Sequence, residues 1–349
     1  MSRSSQTDLT AGETAAVIVT YGDRVHLLEQ VLTAVSEISI GTIVVVSNGC
    51  AAEVHARIKS LLSSLPGVSE LVHLSKNTGS AGGFRAGLEK VKSLARQINF
   101  VWLLDDDNRP FRDSFKRLQL AHDYLGRDPD NLLLSLRASR AEYRMAAECL
   151  KKVEIRRNSY LGFSLSERLL RPLISKRPPY LSSYAAPIIQ IGYAPYGGLL
   201  FSKQWLSRIA PPNDKFFLYS DDHEFTLRAR AAGGRIYLCA ESQLEDLEES
   251  WNNIPSPIPP LLKEDADPTR IYHFVRNRSH IEASLRPSAV VHRANMLAFL
   301  WWGSLKAVLI ERKPHVVLKR LRLILDATRE GHRGSFLQDR TTAASDDGI

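Results

Sequence analysis

The chain has 349 residues, 44% of them hydrophobic and 24% charged, with 46 Lys and Arg against 38 Asp and Glu for a formal charge of +8. These globular proportions exclude a disordered or fibrous chain, and the length allows one large domain or two ordinary ones. Three scattered cysteines, Cys50, Cys149 and Cys239, lack metal-ligand spacing, which argues against a disulfide framework or a Cys-based zinc site and fits a reduced, cytoplasmic setting. The polar opening MSRSSQTDLTAGET has no apolar leader region. No stretch reaches the roughly 18–20 apolar residues of a spanning helix. The positive excess points to a polyanionic partner: nucleic acid, anionic lipid or nucleotide.

In chain order, AAVIVTYG reads as a buried strand ending at Gly22. A helix follows, with Val25, Leu28, Val31, Leu32 and Val35 on one face. GTIVVVSNGC is a second buried strand, AAEVHARIKSLLSSL a second helix and ELVHLSKN a third, shorter strand. SAGGFRAGLEKVKSLA starts with glycines and becomes helical, and INFVWLLDDDNRP is a fourth strand that stops at three aspartates. This alternation predicts an α/β layer with a mostly parallel sheet, and functional loops at the carboxyl ends of its strands. Residues 138–187 read as an irregular insertion rich in Arg, Lys, Ser and Tyr. Order returns with IGYAPYGGLLFSKQWL, then a helix from about Asp222 to Ala232 and a strand after Gly233-Gly234. The tail is helical and basic; Val317, Leu321, Ile324 and Leu325 share one stripe.

Four constellations carry chemistry. Asp105-Asp106-Asp107 closes an apolar strand, where adjacent like charges are costly without a cation. Alternate residues of an extended segment point the same way, so Asp105 and Asp107 are candidates to grip one hard divalent ion, Mn²⁺ or Mg²⁺; the competing reading is a solvated helix cap. The loop from Asn77 to Arg85, NTGSAGGFR, lets a ligand approach the backbone ahead of a helix N-terminus, with Arg85 available for an anion; tight turns without a ligand look the same. It lacks the lysine of a phosphate-binding P-loop. Asp221-Asp222-His223-Glu224 opens a helix, where an Asp is either a cap or a general base; Glu224 and Arg228, four apart, also fit a helical ion pair. Among the aromatics, Phe216 and Phe217 read as core, and Tyr196, beside Gly197-Gly198, as a stacking surface for a sugar or base.

Taken together, AAVIVTYGDR, VVVSNGC, NTGSAGGFRAGL, LLDDDNRP, FFLYSDDHEFTLRARAAG and IYHFVRN resemble a family 2 inverting glycosyltransferase of GT-A fold. More narrowly, they resemble bacterial rhamnosyl- and galactofuranosyltransferases of cell-envelope polysaccharide synthesis. The resemblance covers roughly residues 14 to 280. It implies that Thr20, Tyr21, Asn48, Asn77, Gly79, Gly82, Arg85, Asp105 and Asp106 bind a UDP- or dTDP-linked sugar donor. It also implies that Asp105 and Asp107 hold the metal, that Asp222 is the catalytic base, and that Tyr196, Gly197, Asp221, Glu224 and Trp251 face the acceptor. Tyr272, Arg276 and Asn277 match a late motif. Two features depart from the family. Ser47 stands where relatives carry an acidic residue, and ESQLEDLEESW offers Glu245, Asp246, Glu248 and Glu249 where galactofuranosyl relatives supply a His to the metal.

The implied organisation is a disordered 1–13, a GT-A catalytic domain over 14–255, a helical region over 256–340 for membrane or dimer contact, and a disordered 341–349. The implied partners are a nucleotide-sugar donor, a lipid-linked or polysaccharide acceptor and an anionic membrane surface, with a peripheral place on the inner face of the plasma membrane. Trp301-Trp302 and the basic helix would suit that surface, or would pack on the protein itself. The competing readings are an inactive transferase-like scaffold, a nucleotidyltransferase, and a basic nucleic-acid-binding protein.

Overall fold

The structure, a computed structural model, describes residues 7–149, 152–174, 187–248, 258–334 and 336. The chain divides into two units. The first comprises Met1–Glu154, Pro178–Asp214 and Asp222–Asn253, and the second Ile155–Arg177, Lys215–Asp221 and Ile254–Ile349. The stretch 14–255 is thus interrupted twice by segments that belong with the C-terminal helices.

The first unit opens as its apolar runs dictate: β1 (Thr14–Thr20), α1 (Val25–Glu37), β2 (Thr42–Asn48), α2 (Ala52–Ser64), β3 (Val68–Leu74), α3 (Gly79–Ser93) and β4 (Phe100–Asp105). β1 and β2 are buried along their whole length, as strands covered on both faces must be. The chain continues through β5 (Asn108–Pro110), α4 (Ser114–Tyr124), β6 (Asn131–Arg137) and α5 (Ala141–Cys149). After α6 (Leu165–Ile174), which belongs to the second unit, come β7 (Ile188–Ile191), β8 (Leu199–Ser202), α7 (Trp205–Arg208), α8 (Asp221–Ala231) and β9 (Arg235–Asp246).

The strands form one sheet in the order β3-β2-β1-β4-β8-β6-β9-β5, with β7 pairing β9. Six strands run one way; β5, β7 and β8 run the other. The architecture is therefore the mixed α/β layer with a mostly parallel sheet that the alternation predicts. Its core gathers Trp102, Phe100, Ile18 and Leu28 with the apolar face of α1. Gly198, at φ +97, inserts between β4 and β6: its N–H donates to Leu103 O at 2.8 Å and its carbonyl accepts from Ser135 N at 3.0 Å.

Two expectations change. The segment 138–187 is not irregular throughout, since α5 and α6 form within it. Residues 7–13 are held rather than disordered: Leu9 is buried, its carbonyl accepts from Gln119 at 2.8 Å, and His122 Nε2 donates to Thr7 O at 2.8 Å. Residues 1–6 and 341–349 lie outside the described residues.

The second unit is helical, with α9 (Pro268–Leu285), α10 (Ala289–Glu311) and α11 (Pro314–Arg333). Asp267 caps α9 by accepting from Thr269 N at 2.8 Å, ahead of Pro268 at the first helical position. α9 and α11 approach closely at Gly331, where a Cβ would collide with the Arg276 carbonyl. Tyr160, Leu262, Ile271, Val275 and Ile324 centre its core.

Candidate functional site at the carboxyl ends of the strands

The acidic triplet sits where β4 ends, but not as one extended segment. β4 stops at Asp105, Asp106 and Asp107 form a turn, and β5 starts at Asn108. The alternation argument for Asp105 and Asp107 therefore fails, and tertiary contacts set their places instead. Asp106 is buried; it accepts from Thr20 Oγ1 at 2.6 Å and from Arg24 Nε at 3.0 Å on both carboxylate oxygens. Arg24 also reaches Asp107 Oδ2 at 3.4 Å and pairs with Glu248. Burial opposes the Arg24 charge, but Asp106 and Glu248 outweigh it and raise its pKa. Asp105 lies 3.3 Å from Arg137 Nη1, and Arg137 Nε donates to Asp246 Oδ1 at 2.7 Å.

Pairing of β5 with β9 puts Asn108 opposite Asp246. Asn108 Nδ2 donates to Asp107 Oδ1 at 2.8 Å and to Asp246 Oδ1 at 2.9 Å. Its Oδ1 is buried and has no hydrogen-bond partner among the described residues. A Cβ on Gly197 would collide with that Oδ1, with Asp105 Oδ2 and with Arg137 Nη1, so the three groups converge on one backbone position. Sequence reasoning placed Gly197 near the acceptor; the structure places it at the acidic cluster. Asn108 and Arg137 were missed, although an arginine closing the apolar run NLLLSLR was a usable signal. Asp246 and Glu248 are the described members of the Glu245–Glu249 stretch that join the cluster, through Arg137 and Arg24, whereas Glu245 pairs with Arg109. Glu249 lies outside the described residues.

Five carboxylates (Asp105, Asp106, Asp107, Asp246 and Glu248) meet three guanidinium groups, Arg24, Arg137 and Arg140. Two negative charges are left over. The pKa of Asp107 is pushed up to about 6 by burial and then by the Asp105 charge. Asp105 is raised by poor solvation, with Asp106 adding to it and Arg137 opposing, although 38% of its side chain is open. An excess of two charges among hard oxygen donors matches one divalent cation. No group of three or more His, Cys, Asp or Glu among the described residues is disposed to cage a metal ion.

The glycine-rich loop is organised by Asn48. Its amide donates to Gly79 O at 2.9 Å and Asn77 Oδ1 at 3.3 Å, and accepts from Thr78 N at 2.9 Å and Thr78 Oγ1 at 3.0 Å. That saturates a buried amide and leaves no capacity for a base or ribose. Asn77 Oδ1 also takes the Gly79 N–H at 2.8 Å. Gly83 faces Val19 and Gly87 faces Val17, each without room for a Cβ, so these glycines seat α3 on the sheet. A Cβ at Gly82 would collide with Thr78. Arg85 is partly exposed and engaged with Glu89 at 3.0 Å and Asp214 at 2.9 Å. Tyr21 is 44% exposed, with the Arg24 guanidinium 5.1 Å from its ring centre.

Asp222 lies in the first turn of α8, its Oδ1 accepting its neighbour's N–H at 2.7 Å, and keeps 22% exposure. Asp222 and Arg137 both act electrostatically on the buried Tyr143 hydroxyl, whose pKa is raised by burial first and then by Tyr193, Glu142 and Asp222. Glu224 is taken up by Arg228, with Nη2 3.0 Å from Oε2, which is the helical ion pair. Tyr196 is buried, its ring 4.5 Å from Phe84, and offers no stacking surface; Phe216 is core as expected. Asp221 is buried in the second unit, and Trp251 lies outside the described residues.

Within the second unit, the late motif grips the segment 215–219. Asn277 Nδ2 lies 2.9 Å from Phe216 O, 2.8 Å from Leu218 O and 2.8 Å from Tyr219 O. Arg276 Nη2 donates to Lys215 O and Phe216 O, each at 3.0 Å. Phe217, Tyr219 and Ser220 have φ of 62, 66 and 61, a left-handed backbone that costs energy at non-glycine residues. These two side chains hold that strain in place.

No protein-family profile matches the chain, and no curated protein matches it. Among solved structures, it is similar to S. aureus TarS 1-349, with 11% identity, 92% of this chain and 90% of that chain covered, and a TM-score of 0.46. A structure of S. aureus TarS is similar at 13% identity, with 92% of this chain and 55% of that chain covered, and the same score of 0.46.

Proposed function

We propose that the chain is a family 2 glycosyltransferase of GT-A fold. It moves a sugar, rhamnose or galactofuranose in the favoured reading, from a nucleotide-diphosphate donor to a hydroxyl of a lipid-linked or polysaccharide acceptor. The observation that carries the reading is the acidic cluster at the strand ends. Its two surplus negative charges, the partnerless Asn108 Oδ1 and the bare backbone at Gly197 are what a phosphate-shared cation needs.

In this reading the Asp222 carboxylate accepts the proton of the acceptor hydroxyl as that oxygen bonds to the anomeric carbon. The bond from that carbon to the diphosphate oxygen breaks in line, and the centre inverts. Asp105, Asp107 and Asn108 Oδ1 would hold Mn²⁺ or Mg²⁺, which supplies positive charge toward the departing diphosphate. Arg24 and Thr20 fix Asp106, and with it the turn that carries Asp107. Asn48 shapes the glycine loop rather than reading the base. A second reading, an inactive scaffold, draws on the pairing of each aspartate of the triplet with Arg24 or Arg137.

Calorimetric titration with UDP-galactofuranose, dTDP-rhamnose, UDP-galactose and GDP-mannose, each with and without Mn²⁺, separates the two. One donor bound only with metal, and lost in Asp107→Ala, is the expected result. Failure of every donor with the folded protein would favour the scaffold.

A further inference from the structure

α10 shows water an apolar face. Val290, Leu297, Trp301, Leu305 and Leu309 are 76%, 63%, 67%, 41% and 67% exposed. Their spacing of seven, four, four and four residues keeps them on one side of a helix, a stripe about 28 Å long. Among the described residues nothing covers it. Single exposed apolar side chains are ordinary, but a five-residue stripe that includes Trp301, with Trp302 39% exposed beside it, marks a contact surface. The opposite side holds His292, Asn295, Leu300 and Ala307, all buried, so the helix is already seated and the stripe is its outer face.

The charges carried by α10 and α11 up to Leu325 are mostly of one sign, with Lys313 paired to Glu264. From Ala289 to Leu325 the chain has seven Lys and Arg and a single acid, Glu311. Arg320 is buried and donates to Glu264 O at 2.9 Å, so it serves the fold. Arg293, Arg312, Lys313, Lys319 and Arg322 are exposed. Lys306 Nζ lies 5.4 Å and Arg168 5.3 Å from the Trp302 ring centre, which brings two cations to the edge of the stripe. A two-fold contact with a second copy would set this cationic rim against itself. An anionic bilayer complements both parts: acyl chains take the stripe, and lipid phosphates take the rim. No helix among the described residues is long and apolar enough to cross a membrane, so the fit is to the surface plane.

We propose that the outer face of α10 docks on an anionic lipid bilayer, with Trp301 and Leu305 in the headgroup–acyl boundary and the cations of α10 and α11 on lipid phosphates. The inference does not depend on the transferase reading.

The test is flotation of the full chain with phosphatidylcholine vesicles and with vesicles of phosphatidylcholine and phosphatidylglycerol. Wild type floats with the anionic vesicles and is released by salt. Trp301→Ser with Leu305→Ser, both exposed and so neutral to the fold, weakens binding about tenfold or more. Lys319→Glu with Arg322→Glu weakens binding to anionic vesicles and leaves neutral ones unchanged. Matching thermal unfolding of wild type and variants shows that the fold is kept. Wild type that stays with neither vesicle, or stripe variants that bind as wild type does, would overturn the proposal. Self-association in solution abolished by the same stripe variants would assign the face to a second copy, and overturn it too.

Discussion

The two units bury polar groups in opposite ways. In the first, carboxylates and guanidinium groups crowd the strand ends, with carboxylates in excess and Asp105 partly open to water. In the second, Asn277, Arg276 and Glu282 are spent on the main chain, while both ring nitrogens of the buried His273 have no hydrogen-bond partner among the described residues. Asn277 and Arg276 serve the carbonyls of 215–219, and Glu282 accepts from Leu161 N at 2.8 Å and Gly162 N at 3.0 Å. An unbalanced charge cluster has capacity left for a ligand, whereas a saturated network has none and fixes only geometry.

The units also differ in the sign of their response to acid. Asp107 moves from 3.8 to about 6, so the folded chain holds that proton more tightly than the unfolded one. Its ionisation costs stability as pH rises through that window. His273 and His332 move the other way, from 6.5 to about 4, each chiefly through burial. The unfolded chain then takes up the protons first, and the second unit loses stability as pH falls from 6.5 toward 4.

Five measurements sharpen or break this comparison. The largest expected effect is on turnover: Asp222→Asn should lower kcat by about 10²–10⁴-fold with donor affinity kept. Near-wild-type kcat would remove Asp222 as the base. Arg137→Met strips a buried cation from between Asp105 and Asp246 and should cost about 3–5 kcal/mol in denaturant unfolding of the metal-free protein. A neutral result would show that the cluster is more hydrated than its burial implies. Asn277→Ala leaves three carbonyls without their shared donor, at a cost of about 2–3 kcal/mol. Hydrogen exchange should rise first over residues 215–221, and a uniform rise would deny the segment a special dependence on Asn277. Between pH 7 and 5 in chelator, exchange protection should fall in α9 and α11, with a loss of about 1–3 kcal/mol, while the strand ends gain. Parallel loss in both units would break the opposition. The smallest effect belongs to Glu224→Gln, within about 0.5 kcal/mol for an i,i+4 pair. A clear drop in acceptor affinity there would restore the acceptor role that the ion pair with Arg228 leaves without support.

Local patterns were legible wherever one element decides the outcome. β1, α1 and β2 follow from apolar runs and spacing, and the strand-end position of the acidic triplet follows from FVWLL. The glycines of NTGSAGGFRAG were visible, but not that Gly83 and Gly87 face the sheet, because helix-on-strand packing has no local signature. Tyr196 misled for the same reason: Gly197-Gly198 opens the backbone, but Phe84 closes over the ring. The insertion was read from composition, which says little about two helices that tertiary contacts support.

By itself, then, the amino-acid sequence determined the alternation of strands and helices, the acidic strand end and the basic helical tail, since periodicity and charge are local quantities. Only the tertiary structure decided which groups meet. The turn at Asp106-Asp107 meets Thr20 and Arg24 from 86 and 82 positions away, and the β5–β9 register that sets Asn108 against Asp246 and the strand end that delivers Arg137 join residues more than a hundred positions apart. Such meetings depend on sheet order and register, which arise from the packing of the whole layer rather than from any one segment.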